Sequence, residues 1–520
     1  MTNSFHLFLV AAATAAAATA QVQTVLFTGR FPFTSQSAAF ERPNGAISRL
    51  EEFDFSYVLP QPGSPARTLL PATAMQCYLG DGNNDGNYLK FANWKTYFQQ
   101  IGIGGIFVKA SDRAAVSWDK VWFTVRRNAA ATAGNSPGTL QFEVLTGNGT
   151  TPYTVVPGDW LRLLPNGNVE FFLTQAQMVT AVGAQSGSAT IGAGALLQAA
   201  NGDLYYSPVD GSHWVNGNQG GTSVAYDGAI LKIDAANITY DGNGNVQALA
   251  PNSARILINE ITTVPNVRGL VAASGAVDRF GAALVAPAYG YGKTVGLAFD
   301  PNGGTFTPAL PDSTGAFPPE PNLLFAGDGG GYGGTIFSTA NNGSIATING
   351  VLCGSNTLGV AANGSWLGVN QDAANFQPTY MGFTLCDVVA EVPLVVDQNG
   401  FGSLPLASSQ ANWDIDVSTQ PAVPVFLFLS LGPVGPGLAP AAVPTGFVPL
   451  PFTSDSWDDV FLTGGLASLG FTVTDSFGLG TVTVPNPNTG GFTGVTLTVQ
   501  GIGLMPSGFQ LSTPMLVQLQ

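Results

Sequence analysis

The chain has 520 residues, of which 9% are charged, and 17 Lys and Arg against 32 Asp and Glu give a net charge of −15 at neutral pH. Two histidines (His6, His213) and three cysteines (Cys77, Cys353, Cys386) without a C-x-x-C pair exclude His-rich zinc, copper or non-haem iron sites. They also exclude Cys-based zinc and thioredoxin-like chemistry, and the scarce, scattered basic residues exclude nucleic acid as a partner.

Residues 1–20 run apolar from Leu7 and end in Ala18-Thr19-Ala20 before Gln21. A short apolar core closed by small residues is the pattern of a secretory signal peptide, here without a basic residue ahead of it. No membrane span is expected after cleavage. The strongest later run, Val425 to Leu431, is about a third of the ~20 residues a helix needs. It is bounded by Pro424 and Gly432 and reads as a buried strand. The mature chain is therefore expected to be secreted or held at the cell surface. There Cys353 and Cys386 either pair, leaving Cys77 free, or all three remain buried thiols.

Residues 21–99 read as a β-rich N-terminal segment containing a candidate metal loop, Asp81-Gly82-Asn83-Asn84-Asp85-Gly86-Asn87. Asp81, Asn83 and Asp85 place oxygens at alternate positions, Asn87 follows, and Gly stands at the sixth, as a Ca²⁺ loop requires. The twelfth position, where such a loop carries a bidentate Glu, is Ala92, so an Asn/Gly-rich surface turn is the competing reading. A short helix is expected over about residues 90–100, where Leu89, Trp94 and Phe98 recur at helical spacing.

Residues 100–385 lack helical periodicity. Short Val-, Ile-, Leu-, Phe- and Tyr-rich runs alternate with Gly, Asn, Asp and Pro. Examples are 105–109, 121–125, 140–144, 169–173, 203–207, 228–234, 322–328, 334–339 and 344–348. Each unit is an apolar strand, a Gly/Asp turn and another apolar strand, which predicts an all-β, β-propeller-like body, with a solenoid or a large sandwich as the competing readings of an irregular period. Gly134-Asn135-Ser136-Pro137-Gly138 fits the hydrolase elbow only in letters, because Pro137 has no N–H for an oxyanion hole. Gly290-Tyr291-Gly292-Lys293-Thr294 lacks the first P-loop glycine, and no helix pattern follows the Gly-rich run 327–334. Asp241-Gly242-Asn243-Gly244-Asn245 is a weaker echo of the calcium loop, or a hairpin turn. Tyr205, Tyr206, His213, Trp214, Tyr289, Tyr291 and Tyr332 lie in or near Gly loops. They are candidate ligand-binding aromatics that would stack on sugar rings, with core packing as the competing reading.

Residues 386–520 read as a C-terminal β-sandwich domain. Val395–Leu404 and Val473–Val482 share the pattern apolar, Asp, two residues, Gly, any, Gly, strand. This predicts hairpins in which Asp caps the turn and Gly takes positive φ. That turn, Val484-Pro485-Asn486-Pro487, the strand Gly494–Gln500 and the ending Gln510–Met515 resemble the C-terminal β-sandwich of large secreted proteins of planctomycete-type bacteria. Those proteins often carry propeller-like repeats ahead of it, and the resemblance brings no catalytic motif with it.

The expectation is a secreted or cell-surface non-catalytic structural or interaction protein, whose partner is an extracellular polysaccharide or a cell-surface protein. A Ca²⁺- or carbohydrate-binding adhesion module is one alternative. A polysaccharide-degrading enzyme is another, needing two carboxylates that the local clusters Glu51, Glu52, Asp54 and Asp455, Asp458, Asp459 do not by themselves supply.

Overall fold

A computed structural model describes residues 23–29, 33–35, 49–50, 55–58, 67–70, 103–109, 120–125, 141–146, 149–163, 169–183, 191–209, 213–217, 221–225, 228–258, 294–308, 311–312, 314–327, 336–340, 346–348, 351–352, 369–371, 383–389, 394–397, 411–431, 466–475, 478–488, 495–505, 508–512 and 515–519. Among these the chain is all-β apart from the helix Gln175–Val182 and a single 3₁₀ turn, Ala235–Asn237. The expected helix over 90–100, the Asp81 loop, Cys77 and Cys353 lie outside the described residues. Cys386 is buried.

Among the described residues four main sheets build the body, antiparallel except where Val169–Leu173 pairs parallel with Gln141–Thr146 in the second of them. Sheet I runs Phe383–Val389, Thr24–Gly29, Phe55–Val58, Arg67–Leu70. Sheet II begins Ile103–Val108, Val121–Val125, Trp160–Leu163, Val169–Leu173, and sheet III runs Ala193–Gln198, Leu204–Pro208, Ile230–Ile233, Ala254–Ile258. Sheet IV is Thr294–Phe299, Leu323–Gly327, Ile336–Ser338. The leading strands of the four sheets close a ring. Ile103–Val108 packs on Ala193–Gln198, that strand on Thr294–Phe299, that one on Phe383–Val389, and the last returns to Ile103–Val108. The approach is backbone to backbone: a Cβ at Gly296 would run into the main chain of Leu385. Sheet I joins the two ends of the ring, since Thr24 pairs with Val389 and Gly29 with Phe383. It also spans the boundary at residues 385 and 386.

Packing explains why the strands read as unbroken apolar runs. Sheet III lies between sheets II and IV, so both of its faces are buried. Tyr206, Leu231 and Ile256 face a core shared with Trp122, Trp160 and Phe172 of sheet II. Tyr205, Ile230 and Leu257 face one shared with Leu297, Phe325 and Phe337 of sheet IV. The helix adds Met178, Ala181 and Val182 to the first core. A Thr174–Gln177 capping box starts it, Asp159 accepts from the Gln175 N–H at 2.7 Å, and Gly183 ends it in the left-handed conformation.

The C-terminal part holds two further sheets. Sheet V is Val395–Asp397, Asn412–Ser418, Leu479–Pro485. Sheet VI runs Leu466–Val473, Pro424–Leu431, Thr496–Met505, Gly508–Leu511, with Met515–Gln518 also pairing to Thr496–Met505. They enclose one core around Trp413, Ile415, Val425, Leu427, Val499 and Met515. The turn at Asp475 is as expected. Its carboxylate accepts from the Leu479 N–H at 2.9 Å and Gly478 has φ +75°. Tyr57 of sheet I donates to Ser418 Oγ of sheet V at 3.0 Å. No Lys or Arg follows Lys293, so from sheet IV onward every charged side chain is acidic.

Candidate functional site

Among the described residues, the densest set of ionisable side chains sits where sheet III meets sheet IV. Register builds it: Tyr205 stands opposite Lys232, and Lys232 opposite Arg255, on three neighbouring strands. Residues two strands apart in one lateral row share a face, so all three point at sheet IV. The hairpin Thr305–Phe306/Glu320–Pro321, inserted between the first two strands of sheet IV, lays Glu320 over that row.

Lys232 Nζ lies 2.8 Å from Asp203 Oδ2, 3.0 Å from Asp234 Oδ1 and 3.1 Å from Glu320 Oε2. Arg255 Nη2 donates to Glu320 Oε1, its Nε is 3.7 Å from Asp234 Oδ2, and Tyr205 donates to Glu320 Oε2 at 2.9 Å. Glu320 and Arg255 are 2% and 3% exposed, whereas the Asp234 side chain is 39% exposed. Two cations thus face three carboxylates, with one open side at Asp234. Asp203 is further held by the N–H of Ala235 at 2.7 Å and by Asn201.

Burial opposes charge at both Asp203 and Lys232, and the partners overcome it. The bonds from Lys232, Ala235 and Asn201 hold the Asp203 carboxyl below its ordinary value. The carboxylates of Asp203, Asp234 and Glu320 hold the Lys232 ammonium above its own. Burial, then Glu320, pushes the Tyr205 hydroxyl up, and burial with the nearby Asp203 pushes Tyr240 up to about 12. The signs set a pH window. A depressed acid contributes stability above its unfolded value of 3.8 and loses it as pH falls through the folded value. A raised Lys contributes below 10.5 and loses it as pH rises through the folded value. The melting temperature is expected to be flat in between and to fall on both sides. Asp203→Asn should flatten the acid limb and also weaken the alkaline one, because Asp203 is one of the carboxylates that hold Lys232 up, as differential scanning calorimetry on both sides of neutrality would show.

A second polar cluster accounts for the loop Asp241–Asn245. Asp241 caps the turn through the N–H groups of Asn243 and Asn245 at 2.9 and 2.8 Å, and Gly244 has φ +71°. The loop oxygens do converge on a cation, but it is Lys109. Its Nζ donates to Gly244 O at 2.8 Å, to Asn245 Oδ1 at 3.2 Å and to Asn243 O at 3.4 Å. The same ammonium lies over the rings of Trp122 and Phe172 at 4.7 and 4.9 Å. Asn245 Nδ2 donates to Glu170, which pairs with Arg162. This hairpin turn is thereby tied to sheet II, and its acceptor oxygens are engaged by a side chain of the protein itself. Lys109→Met keeps the apolar stem over the rings but strands these acceptors. It is expected to cost about 1–3 kcal/mol, read as a lower urea midpoint.

The aromatics expected from sequence fare differently from one another. Tyr205 and Tyr206 are buried on opposite faces of sheet III, so neither ring offers a face to a sugar. Burial pushes the Tyr206 hydroxyl up, and it has no hydrogen-bond partner. His213 and Trp214 lie on the hairpin strand His213–Gly217, paired with Gly221–Ala225. Tyr289, Tyr291 and Tyr332 lie outside the described residues, as do Asp81, Asn83, Asp85 and Asn87. Among the described residues no group of three His, Cys, Asp or Glu side chains is arranged to hold a metal ion, and no helix is long and apolar enough to cross a membrane.

No family model and no curated protein matches the chain. Among solved structures it aligns with native E. coli alpha-2-macroglobulin at 12% identity and a TM-score of 0.19, over 98% of this chain and 38% of that one. Salmonella alpha-2-macroglobulin reacted with methylamine aligns at 10% identity and a TM-score of 0.19, over 96% and 38%. The chain spans well under half the length of these structures, and a superposition at that score carries no argument about fold or function.

Proposed function

We propose that the protein is a secreted or cell-surface structural and interaction protein without catalysis, built as a four-bladed β-propeller followed by a β-sandwich. The ring of leading strands, with sheet I sewing the N-terminal strand to residues 383–389, supports the propeller reading. The single shared core of sheets V and VI supports the sandwich.

The observation that carries the functional reading is the use of the charged groups. On a chain with 9% charged residues, the cluster at Glu320 is buried and bound to itself, joining one sheet to the next. Carboxylates engaged by Lys and Arg at hydrogen-bond distance serve as counter-ions rather than as a free acid and base across a substrate bond. The partner on this reading is an extracellular polysaccharide or a cell-surface protein, met through loops and sheet faces.

The test is incubation of residues 21–520 with a panel of polysaccharides and with intact cell envelopes, following retention and release of reducing ends together. Retention without release is the expected result. Release of reducing ends that disappears in a Glu320→Gln variant would overturn the reading in favour of a polysaccharide-degrading enzyme. Retention abolished by EDTA would replace it with the calcium-dependent adhesion module and direct mutagenesis to Asp81.

A further inference from the structure

Sheet VI has an unusual outer face. Across it runs a lateral row, Phe471, Phe426, Ile502, Leu511, each directly opposite the next. Leu511 and Ile502 are buried, Phe426 is half-buried, and Phe471 is 55% exposed, with Val473 beside it at 52%. Apolar cover therefore thins towards the strand Leu466–Val473 and ends there. The rings of Phe426 and Phe471 stack at 5.8 Å.

Leu466–Val473 is also the edge of its sheet. It pairs with Pro424–Leu431 on one side, and no second strand pairs with it among the described residues. Soluble proteins guard such edges with Lys, Pro or an inward charge. Here the sequence LASLGFTV carries none of these, and no strand of sheet VI contains an ionisable side chain. From residue 466 to the end, Asp475 is the only charged residue. One protective device is present, a bulge with Gly470 at φ +138°, and it leaves Phe471–Val473 beyond it.

From this we propose that the Leu466–Val473 edge is a self-association surface, on which two copies of the chain pair antiparallel about a two-fold axis. The argument for a second copy is charge and symmetry. A charged partner finds no counter-charge on this face. A second copy presents the same uncharged apolar row and the same open ladder, and identical edges pairing antiparallel form a closed dimer. The copies repel at long range through their net charge of −15, so association strengthens as salt screens that repulsion. This inference goes beyond the functional reading above and stands without it.

Light scattering and size-exclusion of the full chain over about a hundredfold range of concentration, at low and moderate salt, test this. A dimer that tightens with salt is expected. Phe471→Lys, which puts a charge where the side chain is already half in water, should weaken it at least about tenfold, and by more because the contact occurs twice. Val179→Lys, on the exposed side of the helix, should leave it unchanged. Should Phe471→Lys fail to fold, hydrogen exchange on the unaltered chain decides. Amides of residues 466–473 should gain protection as concentration rises. A monomer throughout, a dimer indifferent to Phe471→Lys, or protection of 466–473 that is independent of concentration would each overturn the proposal, the last by pointing to a segment of the same chain as the occupant.

Discussion

Replacing Glu320 by alanine is expected to destabilise the protein by about 3–5 kcal/mol, the cost of removing one partner from a buried ion pair. The carboxylate lies between Lys232 and Arg255 and accepts from Tyr205, so its loss leaves two buried cations short of a counter-charge. Among the described residues Arg255 Nη1 has no hydrogen-bond partner. Asp234→Asn supplies the contrast. It touches the same two cations, but its side chain is 39% exposed, and an ion pair open to water is worth well under ~1 kcal/mol. Urea denaturation with an unchanged slope would measure both. A Glu320→Ala midpoint within ~1 kcal/mol of the parent would show that the cluster does not hold sheet III to the hairpin.

Removing the strand Thr24–Gly29 should have the other large effect. A chain beginning after Gly29 loses the strand that lies between Phe383–Val389 and Phe55–Val58, so both neighbours lose a ladder. Val25, Leu26 and Phe27 are all buried. At roughly 2 kcal/mol per fully buried side chain, their loss alone approaches the ~5–15 kcal/mol that holds a domain together. The expected outcome is loss of the body's near-ultraviolet circular dichroism, restored by adding a peptide of residues 21–30. A truncated chain that melts as the parent does would show that sheet I does not close the ring.

Much of the β-structure was legible because each strand's own chemistry specifies it. Apart from Glu170, Val121–Val125 and Val169–Leu173 are apolar, β-branched or aromatic, and both have the bounds expected from sequence. The Asp475 turn was legible for the same local reason, a capping carboxylate followed by a glycine. The helix Gln175–Val182 was missed, although Thr174-Gln175-Ala176-Gln177 carries a capping box. Eight residues give too short a periodic signal, and much of its stability comes from packing against the strand Val246–Leu249 and from Asp159, sixteen positions from Gln175.

The charged cluster was missed for a different reason. Its members lie far apart in sequence, whereas the acids that a sequence displays together are neighbours, at 51–54 and 455–459. A signal was there nonetheless. A lysine inside Ile230-Leu231-Lys232-Ile233 and an arginine inside Ala254-Arg255-Ile256 interrupt apolar strands on a charge-poor chain. A charge in such a place implies a buried partner. Reading Tyr205 and Tyr206 as exposed faces failed because sequence does not say that sheet III is covered on both sides. The Asp241 loop was legible as a hairpin turn, but not its tie to Lys109, more than a hundred residues earlier.

The seam in sheet I also fixes how the body would respond to being pulled. Thr24 pairs with Val389 and Gly29 with Phe383, so the chain enters and leaves the ring at the same end of one antiparallel pair. Tension delivered through the residues before Thr24 and after Val389 would load the rungs one after another, starting from Thr24, rather than all together. A ladder opened in that way parts like a zipper, at far lower force than the same hydrogen bonds sheared in parallel. For a protein anchored at one end and bound at the other, the ring would then be the first element to yield, paying out slack while sheets V and VI stayed folded.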